Sequence, residues 1–200
     1  MIDPRAILSL PAVYSLFANL VGGNSRKRFV DEFLQPREGD RILDIGCGPG
    51  DLLEHLPKSV DYLGFDGSEQ YIASAKKRFG TRGQFFCQLV KNDTLEKIGE
   101  FDIVIASGVL HHLDDAESGH LFDIAKQALK PDGKLVTLDN VYTADQSAVA
   151  RYLISRDRGQ HVREEAAYAA LARSRFSDVQ VAIRHDMMRI PYTHIFMTCR

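Results

Sequence analysis

Apolar residues along this chain follow two rhythms. Short apolar runs bounded by glycine, proline or charge occur at Arg41–Ile45, Tyr62–Phe65, Gln84–Val90, Ile103–Ala106 and Lys134–Leu138. Such runs predict buried strands. Helical spacing fills the intervals, over Arg28–Leu34, Asp51–Leu56, Ser68–Phe79 and Ser118–Leu129. The helix at Ser68–Phe79 has Glu69 in its first turn and Lys76, Lys77 and Arg78 in its last, matching the polarity of the helix dipole, and the helix at Ser118–Leu129 stops before Pro131-Asp132-Gly133. Strands alternating with helices predict an α/β fold with a parallel sheet covered on both faces.

Beyond Leu138 the rhythm changes. Helices are predicted over Ala144–Ile154 and Glu164–Arg173, flanking a loop at Arg156–Val162, and strands at Val179–Arg184 and His194–Cys199 complete the chain. Residues 140–165 therefore form an insertion or cap after the fifth strand, at the carboxyl edge where open α/β sheets place their ligands. At the other end, Leu10, Val13, Tyr14, Phe17, Leu20 and Val21 predict an amphipathic helix ending at Gly22-Gly23. Residues 1–23 are expected to close over the site as a lid.

Composition narrows the function. Two hundred residues, 44% of them hydrophobic, suit a single domain over 1–200. The net charge of -2 gives no general attraction to nucleic acid or an anionic membrane. That balance hides an asymmetry, because residues 151–200 hold nine Arg and no Lys against five acids. Cys47, Cys87 and Cys199 are three well-separated cysteines without metal-ligand spacing, which fits a reducing cytoplasm and no metal site. The apolar stretch from Ala6 to Val21 is too short and too polar to span a bilayer.

The chemistry concentrates in Leu43-Asp44-Ile45-Gly46-Cys47-Gly48-Pro49-Gly50, a strand running into a glycine turn. The glycines let bare backbone meet a ligand at a helix amino end. A dinucleotide fingerprint requires glycine at position 51, which is Asp51, and the Gly-Lys-Ser/Thr of a P-loop is missing as well. An acid beside the turn suits a cationic ligand better than a pyrophosphate. Asp66 ends the next strand 22 residues after Asp44, near the offset at which an acid takes both ribose hydroxyls. Together these features indicate a nucleoside bearing a positive centre.

At these residues the chain resembles the class I S-adenosylmethionine-dependent methyltransferases. The resemblance extends to Phe101-Asp102-Ile103-Val104, Val109-Leu110-His111-His112-Leu113 and Leu129-Lys130-Pro131-Asp132-Gly133-Lys134-Leu135. It implies a Rossmann-like sheet of seven strands, the last antiparallel, and S-adenosylmethionine as cofactor with S-adenosylhomocysteine as product. It also implies that Asp44 and the turn at Gly46, Cys47, Gly48 and Gly50 hold the methionine part, that Asp66 binds the ribose, and that the backbone at Ser107 meets the amino group. Two positions depart from the family pattern, both on the adenine side. Gly67 stands where relatives carry an apolar residue, and Leu89 where many carry an acid. Losing one apolar contact and one hydrogen bond would cost about 1 to 3 kcal/mol of cofactor affinity, unless Leu89 packs on the base.

Methyl transfer from a sulfonium needs alignment and exclusion of water, with a general base only for a protonated acceptor. Candidate bases are His111, His112, His161 and His194, and a packed or capping role is the alternative for the first two. Arg156, Arg158 and Arg163 in the insertion suit a carboxylate or phosphate, with Tyr14, His161 and Tyr192 lining the same pocket. Alternatively the arginines pair with Asp157, Glu164 or Glu165 and pin the insertion to the body. The expectation is a methyltransferase for a small, anionic molecule, acting on neither nucleic acid nor membrane. The alternatives are a non-catalytic binder of the cofactor and a nicotinamide dehydrogenase.

Overall fold

The computed structural model describes residues 22–157 and 159–200. The expected N-terminal lid helix, Tyr14 and Arg158 lie outside that set. Seven strands form one sheet in the order β3-β2-β1-β4-β5-β7-β6. They are β1 (Arg41–Ile45), β2 (Asp61–Asp66), β3 (Gln84–Cys87), β4 (Phe101–Ser107), β5 (Leu129–Asn140), β6 (Val179–Arg184) and β7 (His194–Cys199). The first five are parallel, and β7 runs antiparallel to both β5 and β6, as the sequence predicted.

Strand alternation sends successive residues to opposite faces, and both faces are buried. Leu43, Val104, Leu135 and Ile195 pack in one core, and Ile42, Ile103, Ile105, Val136 and Phe196 in the other. The first core is covered by α4 (Asp115–Ala128) and α6 (Glu165–Arg173), which supply Phe122, Ala125, Tyr168 and Ala172. The second is covered by α1 (Ser25–Phe29), which runs into a π turn at Val30–Leu34, and by α2 (Glu69–Phe79), through Phe29, Leu34, Ile72 and Phe79. Ser68 caps α2, and Asp114 with Glu117 forms a reciprocal capping box on α4. The insertion carries α5 (Ala148–Ser155), capped by Ser147.

Several boundaries differ from the sequence reading. Asp51–Glu54 is a 3₁₀ turn that stops short of Leu56, and β3 ends at Cys87. A helix not foreseen, α3 (Asn92–Ile98), follows β3; it buries only Leu95, so it carries no apolar period. Pro131-Asp132-Gly133 lies inside β5, which begins at Leu129 and meets β4 with a register shift between Phe101 and Ile103. An irregularity of that kind accommodates a proline and a glycine that a regular ladder disfavours. Among the described residues no helix is long and apolar enough to cross a membrane.

Phe122 is fully buried and meets Phe176 edge-on at 6.3 Å between ring centres. Phe122→Ala is expected to lower stability by about 3 to 5 kcal/mol in a urea titration. A change below about 1 kcal/mol would show that this core can collapse around the gap.

Candidate active site

The turn after β1 is fixed by backbone geometry. The Gly46 and Cys47 amides both donate to the Phe65 carbonyl, at 2.8 and 3.0 Å, so the loop is tied to the end of β2. Gly46 has φ of 77°, and a Cβ there would stand 2.5 Å from Val109 Cγ2. Only glycine admits both that conformation and that closeness. Gly48, at φ 54°, has the opposite surroundings: a Cβ would meet nothing within 4 Å, so its backbone faces open space. The Cys47 side chain packs inward against Gly64, and burial pushes its thiol pKa up. Cys47 therefore presents backbone rather than sulfur to the edge.

Asp66, the expected ribose ligand, is joined to this turn. Its Oδ2 accepts from the Gly48 amide at 2.9 Å and its Oδ1 from the Ser68 amide at 2.8 Å. Each oxygen keeps acceptor capacity for a hydroxyl. The Gly67 backbone beside it is open, and Leu89 is 70% exposed. Most of the Leu89 side chain is thus left uncovered by the protein. Asp44 is buried, with its Oδ2 accepting from Tyr62 Oη at 2.6 Å. Burial lifts its pKa to about 7, against the lowering by the Tyr62 hydroxyl.

A second group of polar residues stands at the carboxyl ends of β4 and β5. Val109 packs on Gly46, and a Cβ on neighbouring Gly108 would lie 3.8 Å from His111 Cε1, so one short segment links the glycine turn to the His111 ring. His111 Nδ1 is 2.7 Å from Asp139 Oδ1, and its backbone amide donates to the same oxygen at 3.2 Å. Burial raises the Asp139 pKa, and the His111 contacts pull it back. His111 Nε2 faces Asp157 Oδ1 at 3.5 Å, and a Cβ on Gly159 would collide with the ring. Tyr192 Oη donates to Asp157 Oδ2 at 2.8 Å and accepts from Asn140 Nδ2 at 3.1 Å.

The other candidates are distributed differently. His112 is exposed, with its ring centre 4.1 Å from that of His111. His161 touches the group through its amide, which donates to the His111 carbonyl at 2.9 Å. His194 is buried, and burial followed by the nearby His111 lowers its pKa to about 4. Arg163 is committed to the protein: it donates to the carbonyls of Leu110, His161 and Leu113 and pairs with Asp115. Arg156 stacks over Tyr152, 5.3 Å from the ring centre. Among the described residues Asp157 meets Tyr192, the Gly159 amide and the His111 ring, where the pairing alternative named an arginine. Asp139, Asp157 and Asn140 are site residues the sequence reading missed. Acids and amides at the carboxyl end of a central strand were the available signal for Asp139 and Asn140.

Residues 43–135 match a family model described as a methyltransferase domain. Over 86 residues the chain is 38% identical to the ubiquinone biosynthesis O-methyltransferase of Sinorhizobium medicae, covering 42% of this chain and 35% of that one. Over 132 residues it is 30% identical to the mouse N-terminal Xaa-Pro-Lys N-methyltransferase 1, covering 59% and 57%. The chain spans less than two thirds of the length of these curated relatives. The fold is shared with human N-acetylserotonin methyltransferase solved with S-adenosylmethionine (TM-score 0.69, 21% identity, 98% of this chain and 56% of that one). It is also shared with a TehB-like methyltransferase from Corynebacterium glutamicum (TM-score 0.65, 18% identity, 99% and 100%).

Two outcomes are expected. Because the Asp44 pKa is raised in the folded state, its contribution to stability is complete below the unfolded carboxyl range and is lost as pH rises through about 7. Relative to Asp44→Asn, the wild type should lose on the order of 4 kcal/mol between pH 4 and pH 8 in denaturant titrations, and a flat difference would contradict the buried carboxyl. Arg163→Ala should cost about 2 to 4 kcal/mol of stability by leaving carbonyls unpaired; loss of acceptor affinity at unchanged stability would instead mark an anion-binding arginine.

Proposed function

We propose that the chain acts as a class I S-adenosylmethionine-dependent methyltransferase on a hydroxyl group of a small molecule, with His111 as general base. The observation that carries the base assignment is the buried 2.7 Å contact between His111 Nδ1 and Asp139 Oδ1. A proton on Nδ1 directed at the carboxylate leaves the Nε2 lone pair free to take one from an acceptor.

The residues of the edge fit the cofactor. The Gly48 backbone is open, Asp66 has lone pairs for ribose hydroxyls, and Asp44 supplies a negative charge that a nearby cation would favour. Leu89 offers exposed apolar surface on the adenine side, where Cys87 Sγ reaches the Gly67 carbonyl at 3.8 Å. When bound, the cofactor supplies an electrophilic methyl group on a sulfonium.

This chain's own residues then have three tasks. His111 Nε2 accepts the hydroxyl proton, Asp139 fixes the ring and stabilises the imidazolium, and the loop through Asp157 and Gly159 keeps water from the ring. A purely binding protein has no use for so oriented a pair. Dinucleotide chemistry is disfavoured by Asp51, which is buried and paired with Arg26 and Arg78 where a glycine would be needed.

His111→Ala should lower kcat by about 10² to 10⁴ with a hydroxyl acceptor, and Asp139→Asn by a comparable factor. Cofactor affinity, measured by calorimetry, should stay within about threefold. Full turnover in both variants would remove His111 from the chemistry.

A further inference from the structure

The edge beside His111 holds more hydrogen-bonding capacity than the protein uses. Asp139, Asn140 and His194 are 2%, 4% and 6% exposed, yet Asp139 Oδ2, Asn140 Oδ1 and His194 Nδ1 have no hydrogen-bond partner. Buried polar atoms nearly always have one. Asn140 Oδ1 and His194 Nδ1, at the end of β5 and β7, therefore point to a polar ligand, while Asp139 Oδ2 belongs to the opposite face of β5. Asn140 and His194 are register partners and share a face of the sheet, and Asp139 is joined to His111.

Asp157 completes this end from the insertion. Tyr192 Oη and the Gly159 amide, at 2.8 and 3.0 Å, hold its carboxylate, and Asn140 holds the tyrosine in turn. Its Oδ1 lies 3.5 Å from His111 Nε2, beyond normal hydrogen-bond length. Neither group satisfies the other, so both remain available to a ligand. Two rings stand together at this end, those of Tyr192 and His194, with centres 5.1 Å apart, and Phe196 behind them belongs to the core.

Among the described residues, which leave out Arg158, the charge at this end is carboxylate. Among the described arginines of the insertion, Arg151 covers Tyr142 and donates to the Thr143 carbonyl, Arg156 covers Tyr152, and Arg163 is bound to carbonyls and Asp115. Burial keeps His194 neutral at physiological pH. A carboxylate brought beside Asp157 in this partly buried setting would be repelled, whereas a hydroxyl or ammonium group would be held.

On the methyltransferase reading above, we propose that the acceptor is an aromatic alcohol carrying a neutral or cationic hydrogen-bond donor, and that Asp157, positioned by Tyr192, sets this specificity against carboxylated acceptors. The arginine count of the sequence had pointed to an anionic acceptor instead.

The test uses catechol, 3,4-dihydroxybenzylamine and 3,4-dihydroxybenzoate as probes, titrated against the full chain saturated with S-adenosylhomocysteine. The wild type should bind the first two at least about tenfold more tightly than the carboxylate. Asp157→Asn, checked for unchanged melting temperature, should shrink that preference to about threefold or less, and Tyr192→Phe should weaken it in the same direction. Tighter or equal binding of the benzoate, a preference that survives Asp157→Asn, or no binding of any probe to the loaded protein would each overturn the proposal. Failure of S-adenosylhomocysteine itself to bind would overturn the methyltransferase reading and this proposal with it.

Discussion

Two amides, those of Gly46 and Cys47, converge on the single carbonyl of Phe65, and the ligand edge is positioned from that junction. It locks the exit of β1 to the end of β2. Asp66, one residue further, can then accept from Gly48 and still turn its remaining lone pairs outward. The same turn brings Gly46 against Val109, and Val109 belongs to the short segment that carries Gly108 and His111. A candidate cofactor cradle and a candidate base are thereby placed by one backbone arrangement. A side chain at Gly46 would disturb both, through its positive φ and its contact with Val109.

Electrostatics divides the edge into two parts with different tasks. On the proposed cofactor side, Asp66 is held by two backbone amides, and burial raises the pKa of Asp44 to about 7. On the acceptor side, Asp139 orients His111 and Asp157 faces it from the insertion. The arginine excess of the last fifty residues is spent largely on structure. Arg163 stitches the insertion to the segment around Leu110 and Leu113, and Arg184 joins Glu32 and Asp186 to tie β6 to the turn after α1. Tail charge counted from the sequence suggested an anionic ligand, yet most of the described arginines there have partners within the protein.

Much of the architecture was legible because it rests on local pattern. Apolar runs at Arg41–Ile45 and Ile103–Ala106 lie in strands because both faces of a parallel sheet are buried, and glycines followed by Asp66 at the right offset marked the cradle. What escaped depended on distant pairing. Nothing local announces that Asp139 meets His111 or that Tyr192 holds Asp157, 35 positions away. The helix Asn92–Ile98 was missed because a single buried leucine leaves no period to read. Pro131 and Gly133 looked like a turn because the register shift that admits them to β5 comes from its neighbour β4.

On the proposed function, the junction of β1 and β2 holds the nucleoside part of the adenosyl cofactor, with Asp66 on its ribose. Calorimetric titration of the full chain with S-adenosylhomocysteine and, separately, with NAD tests it most directly. The account predicts one-to-one binding of S-adenosylhomocysteine that weakens at least about tenfold in Asp66→Ala, and no heat with NAD. Saturable binding of NAD, or S-adenosylhomocysteine binding indifferent to the loss of Asp66, would contradict it.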